Sequence, residues 1–140
     1  MRRLPKSRLD RQAFLLCIFA SASLLSAAGL DGLFSKDQVE RGGKVFQDKC
    51  ASCHSAQLEG GDHGPPLNDD AFWQEWNGKP ARALYSRIIS TMPPDDAGSL
   101  AEKDAIELLA YFAAMNGAEP GTKSLDRADE LNNISLERPK

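Results

Sequence analysis

Apolar side chains recur three to four positions apart in four stretches of this chain, and each stretch predicts a helix. The first runs from Lys36 to Asp48, with Val39, Gly42, Gly43 and Phe46 on one face. Ser35 stands at its N-cap, Gln38 completes a capping box, and Asp37 sits in the first turn, where the helix dipole favours an anion. Two glycines inside a helix cost about 1 kcal/mol each against alanine. They imply either close approach by another backbone or a break at Gly42-Gly43. The second stretch, Asp69 to Glu75, is short and aromatic, with Phe72, Trp73 and, just beyond it, Trp76. The third follows Lys79, with Pro80 at N1 and Leu84, Tyr85, Ile88 and Ile89 as its apolar face, and ends near Ser90. The fourth starts after Ser99 and carries a broad stripe of Ile106, Leu108, Leu109, Phe112 and Ala113. Asn116-Gly117 supplies its stop. No alternating strand pattern and no internal repeat is present, so the predicted class is all-α.

Outside these helices the pattern changes at both ends. Residues 118–140 are polar, with Leu125, Leu131, Ile134 and Leu136 irregularly spaced. That extension either wraps over the domain, touches a partner, or is disordered. The N-terminus carries Arg2, Arg3, Lys6, Arg8 and Arg11, then an apolar run from Ala13 to Leu25, then the small residues Ser26-Ala27-Ala28. This is the layout of an export signal, with cleavage expected before Gly29. The alternative is an uncleaved anchor, since no charge appears over the 18 residues from Ala13 to Leu30, the lower edge of spanning length. The expected organisation is a signal over 1–28, a short lead over 29–34, a domain over 35–117 and the extension over 118–140.

Charge changes with that cut. Removing five basic side chains and one acidic one takes the net charge from −3 to −7. An acidic domain argues against nucleic acid and against an anionic membrane surface, and favours a partner with a basic patch. About 112 residues remain, enough for one small domain with little core of its own.

The chemistry is concentrated in Cys50-Ala51-Ser52-Cys53-His54. Two thiols three positions apart can add to the two vinyl groups of one porphyrin, and the adjoining imidazole reaches its iron. C-x-x-C alone also fits a redox dithiol or half a zinc site. The sequence holds no second C-x-x-C, and His63 is the only other histidine. A zinc site would crowd Cys50, Cys53, His54 and His63 onto one ion. A redox dithiol calls for a helix after the motif, where Ser55 to Gly61 reads as loop. The remaining cysteine, Cys17, lies in the apolar run and leaves with the signal. The expected cofactor is therefore one covalent haem c, which fits an exported protein.

From Ser35 to Gly117 the chain resembles the class I c-type cytochromes. The resemblance rests on Cys50-Ala51-Ser52-Cys53-His54, on Gly42 and Phe46 upstream, on Gly64-Pro65-Pro66-Leu67, and on Thr91-Met92-Pro93-Pro94 before a terminal helix with Ala110-Tyr111-Phe112. It implies three to five helices around one haem, with N- and C-terminal helices crossing at Gly42. It implies that Pro65, or Pro66 in a slipped register, offers its carbonyl to His54. Met92 is the expected second axial ligand, in an inter-helix loop 38 residues after His54. Its rivals are weaker. Met115 lies in a helix, and His63 is only nine residues beyond His54. Trp76 either donates its indole N–H to a haem propionate or packs in the core.

A His/Met pair closes the iron to oxygen and substrates, which implies a one-electron carrier rather than an enzyme. The run from Gly64 through Phe72, Trp76, Leu84, Met92-Pro93-Pro94 and Ala110-Tyr111 is similar to small cytochromes that serve quinoprotein-type dehydrogenases in the periplasm. It implies a dehydrogenase as donor and an oxidase or another cytochrome as acceptor. Two alternatives stay open: a haem enzyme or gas sensor, if Met92 is not a stable ligand, and a permanently bound dehydrogenase subunit, with the extension as its interface.

Overall fold

The computed structural model describes residues 29–139; the expected signal and Cys17 lie outside the described residues. Five helices and two short 3₁₀ turns are formed, with no strand among the described residues. The helices are α1 (Lys36–Lys49), α2 (Ala51–His54), α3 (Asp70–Trp76), α4 (Ala81–Thr91) and α5 (Glu102–Met115). None is long and apolar enough to cross a membrane. The all-α expectation holds. Helix α2, with four residues, is too short to leave a periodic signal.

Helix α1 begins with the capping box read from Ser35 and Gln38, and it runs unbroken through Gly42 and Gly43. Those glycines bring α1 onto α5. A Cβ at Gly42 would overlap the carbonyl oxygen of Glu107 and lie 2.6 Å from its carbonyl carbon and 3.0 Å from Tyr111 Cβ. A Cβ at Gly43 would lie 3.2 Å from the Tyr111 ring. Backbone thus meets backbone at the crossing of the first and last helices, which is what two costly helix glycines provide. Beside the contact, Arg41 Nε donates to Glu107 Oε1 at 2.6 Å, and the Glu107 side chain is only 4% exposed. Phe46 fills the next turn, fully buried, with its ring 5.2 Å from Tyr111 and 5.7 Å from Phe112.

Helix α3 is capped by Asp69, whose carboxylate accepts from Phe72 N at 2.8 Å. Helix α4 starts one residue later than expected. Pro80 occupies the N-cap rather than N1, with ψ 138. A proline there has no side-chain oxygen to cap the helix.

Residues 118–139 do not hang free. Leu125, Ala128, Leu131, Ile134 and Leu136 are all buried in the common core. The segment forms a strap. It starts beside α1, where Gly121 N donates to Phe34 O at 2.8 Å. Gln38 then grips it from both sides, donating to Leu125 O at 2.7 Å and accepting from Leu125 N at 3.1 Å. A 3₁₀ turn at Glu130–Asn133 leads to a last stretch that pairs with the start of α4, including an antiparallel bridge between Pro80 and Ser135. The lead is also packed, with Phe34 fully buried and Leu30 nearly so.

Candidate haem site

The C-x-x-C-H motif lies at the end of α1 and along α2. Cys50 closes α1, its N–H donating to Phe46 O at 2.8 Å, and His54 N donates to Cys50 O at 3.0 Å. Both thiols are free and partly buried. His54 is buried.

The loop after the motif folds back over the histidine. Gly60 N donates to His54 O at 3.0 Å, Gly61 N to Gly64 O at 2.9 Å and Leu67 N to Leu58 O at 2.8 Å. Leu58 is fully buried at φ 64, and Ser55 turns at φ 60. Both take left-handed backbone that non-glycine residues rarely adopt. The Ser55 hydroxyl accepts from Glu59 N at 3.2 Å and steadies that turn. Gly64 then lies against the imidazole, where a Cβ would be 2.9 Å from Nδ1. Immediately after it, the Pro65 carbonyl stands 2.7 Å from His54 Nδ1. The acceptor is Pro65 in the expected register, not Pro66. A carbonyl only accepts, so Nδ1 carries the proton and Nε2 is the lone-pair nitrogen.

The motif and the Gly64–Leu67 stretch open onto one cleft of about 1060 Å³. Its walls include Cys50, Cys53, His54, Pro65, Trp76 and Met92. Leu84 and Ile88 of α4, Phe72 of α3, and Leu108 and Phe112 of α5 supply apolar wall. His63, the rival ligand, lines the cleft too, whereas Met115 does not and is 44% exposed. The Trp76 indole N–H makes no hydrogen bond among the described residues. The Lys79 ammonium lies 5.1 Å over its ring.

A haem fits this cleft. The volume is at the upper end of the about 300–1,000 Å³ typical of ligand and cofactor sites. The wall is mostly apolar, two thiols open onto it, and a buried imidazole has one nitrogen spoken for and the other unpaired. Zinc fits poorly, because no group of three or more His, Cys, Asp or Glu side chains gathers as a metal site among the described residues. A redox dithiol fits poorly as well. The attacking thiol of such a pair needs a lowered pKa, and Cys50 does not supply it, since burial, with Cys53 adding to it, pushes its thiol up to about 11.

Residues 37–112 match the family model described as cytochrome C oxidase, cbb3-type, subunit III. The chain belongs to this family. It is a small class I c-type cytochrome. Among solved structures, the cytochrome resembles a chain of the sulfane dehydrogenase SoxCD from Paracoccus pantotrophus, at 24% identity and a TM-score of 0.54. The match covers 80% of this chain and 61% of that one, and it speaks for the fold alone. A search of curated proteins found no match.

Sequence reasoning missed part of the site's support. Asn116, read only as a helix stop, accepts from the Trp73 indole at 3.0 Å and donates to Leu67 O at 3.2 Å. It ties α3 and the post-motif loop to the end of α5. A polar residue at a helix end gives no sign in sequence of such distant partners. The role of Gly64 was equally hidden, because the space a Cβ would take is defined only by the folded ring.

Proposed function

We propose that the cytochrome carries a single haem c, joined through thioethers to Cys50 and Cys53 and ligated by His54 and Met92. In this reading it takes single electrons from a periplasmic dehydrogenase and passes them to an oxidase or another cytochrome. One observation carries it. His54, oriented by the Pro65 carbonyl at 2.7 Å, shares a single apolar cleft with both thiols and with the Met92 loop.

The residues divide the work. Cys50 and Cys53 fix the macrocycle. The Pro65 carbonyl holds the imidazole tautomer that leaves Nε2 for iron and raises its basicity. Met92 supplies a soft thioether that favours the ferrous state. Phe72, Leu84, Leu108 and Phe112 keep water out. Trp76 lines the same wall with its indole N–H unspent, which supports its role as a propionate donor. The haem, when bound, supplies reversible one-electron chemistry, and the protein's levers on it are axial ligands, hydrogen bonds and burial.

Export rests on residues 1–28, with their basic start, apolar run and small-residue end, and cleavage would fall before Gly29. A partner with a basic face is favoured by the cleft's own charges. Asp48, Asp69, Glu75, Asp95 and Asp96 line it against Lys49 and Arg87. Asp48 and Lys49 pair at 3.0 Å and Glu75 pairs with Lys79, which leaves Asp69, Asp95 and Asp96 against Arg87 as the net acidic excess. An acidic collar steers a cationic partner and makes the association rate fall with salt.

Visible spectra of the exported, haem-loaded protein, with and without carbon monoxide, test the reading. A low-spin ferrous spectrum indifferent to carbon monoxide supports a closed electron carrier. Ready carbon monoxide binding contradicts it and makes an enzyme or gas sensor the working account.

A further inference from the structure

The end of the strap meets the corner between α3 and α4. The side chains on either side of that corner, Trp76 and Leu84, are cleft wall. From within, the corner is held by Lys79, whose N–H donates to Trp76 O at 3.0 Å and whose ammonium pairs with Glu75, but it has no side-chain cap for α4. Gly78 turns at φ 78 in open space, and Pro80 leaves the first N–H groups of α4 without a side-chain cap. Buried or not, those donors need partners. Ala83 N turns back to Pro80 O at 2.8 Å, and the strap supplies the partner of the first N–H, that of Ala81, and of the corner itself. Ala81 N donates to Ile134 O at 2.8 Å, and Gly78 N donates to Leu136 O at 2.7 Å. In return Leu136 N donates to Lys79 O at 2.8 Å. Arg138 clasps α3 itself, through its N–H to Asn77 Oδ1 at 2.9 Å and its guanidinium to Asp70 Oδ1 at 2.6 Å. Ile134 and Leu136 anchor the stretch by burial. No residue of the strap lines the cleft.

We propose that residues 134–138 are a positioning element for the haem cleft: they cap α4 from outside the domain and hold Trp76 and Leu84 where they exclude water from the cofactor. The inference rests on the haem reading above. Its consequence is a reduction potential that depends on a segment with no contact to the site. When the corner loosens, water enters the wall, the more highly charged ferric form gains, and the potential falls. The far end of the strap is different. Gln38 holds Leu125 beside α1, away from that corner, so loosening it costs stability without wetting the cleft.

The test compares three variants of the haem-loaded protein with wild type: a chain ending at Ser135, Leu136→Ala, and Gln38→Ala. Reduction potential, carbon monoxide uptake by the ferrous form and thermal midpoint are measured on each. The expected result is a lowered potential and increased carbon monoxide uptake in the first two. Gln38→Ala lowers the thermal midpoint with its potential unchanged. If the shortened chain takes up no haem, Leu136→Ala decides alone. Wild-type potential and carbon monoxide response in Leu136→Ala, or an equal potential shift in Gln38→Ala, overturns the proposal. Failure of the haem reading itself is seen separately, in a wild-type protein that carries no haem or binds carbon monoxide freely.

Discussion

Gly42 on α1 stands against the main chain of Glu107 on α5 with no room for a side-chain carbon between them. The first and last helices therefore meet backbone to backbone, and the rest of the cleft is framed by that crossing. Phe46, one turn further along α1, backs Phe112 in the cleft wall.

Gly42→Ala is expected to destabilise the protein strongly. The obstruction is backbone, which cannot rotate away, so the helices must separate. Overpacking of this kind costs about 1–3 kcal/mol or more, and each kcal/mol lowers the melting temperature by roughly 4–8 °C in a domain of this size. Gly43→Ala should cost less, because its obstruction is the Tyr111 ring at 3.2 Å, which can shift. Thermal melts followed by circular dichroism compare the two. Equal melting temperatures would contradict the close-crossing argument.

Gly64→Ala should weaken axial ligation while leaving the thioether links intact. A Cβ 2.9 Å from Nδ1 displaces the ring from the Pro65 carbonyl. Loss of such an orienting partner typically costs 10–100-fold in metal affinity or activity. A high-spin fraction in the ferric spectrum, with haem still attached after denaturation, is the expected signature. An unchanged low-spin spectrum would show that the ring does not depend on this loop.

Gln38→Ala should release the strap where it passes α1. The Leu125 N–H and C=O both lose a buried partner, and each unsatisfied group costs about 1–3 kcal/mol. Limited proteolysis should then cut within residues 121–128, which the wild type protects. Resistance equal to wild type would contradict the role given to Gln38.

In the haem-free chain, the Cys50 thiol should stay protonated well above neutrality, because its burial disfavours the thiolate. Its folded pKa is about 11, against about 8.5 for an ordinary thiol. The folded state then binds the proton more tightly than the unfolded one. Stability from this group is complete below the unfolded value and is lost as pH rises from there through about 11. Alkylation rates of the Cys53→Ser variant against pH read this directly, and a midpoint near 8.5 would refute it.

Much of this was legible because it is local. The capping box at Ser35 and Gln38, the helical stripes and the five-residue haem motif are written in consecutive or periodic positions. Met92 and Pro65 were named with the resemblance and Trp76 from the aromatic cluster of its helix, and the fold places all three on one cleft. What stayed hidden depends on partners distant in sequence. Gln38 serves as both cap and grip on Leu125, 87 residues away. Asn116 ends a helix and also ties Trp73 to Leu67. The leucines of residues 118–139 lacked a period because they bury along an irregular strap, with no helix or strand to impose one. Pro80 stands at the N-cap instead of N1, and a carbonyl from Ile134, distant in sequence, takes the N–H of Ala81 that a capping side chain would not reach.

The most direct test of the account is the ferric visible spectrum of the haem-loaded wild type beside that of Met92→Ala. Ligation by His54 and Met92 predicts a sulfur-to-iron charge-transfer band in the wild type. It also predicts loss of that band in the variant, together with new binding of carbon monoxide to the ferrous form. A wild type without the band, or a variant that keeps it, would contradict the assignment of Met92 and with it the closed electron-carrying site.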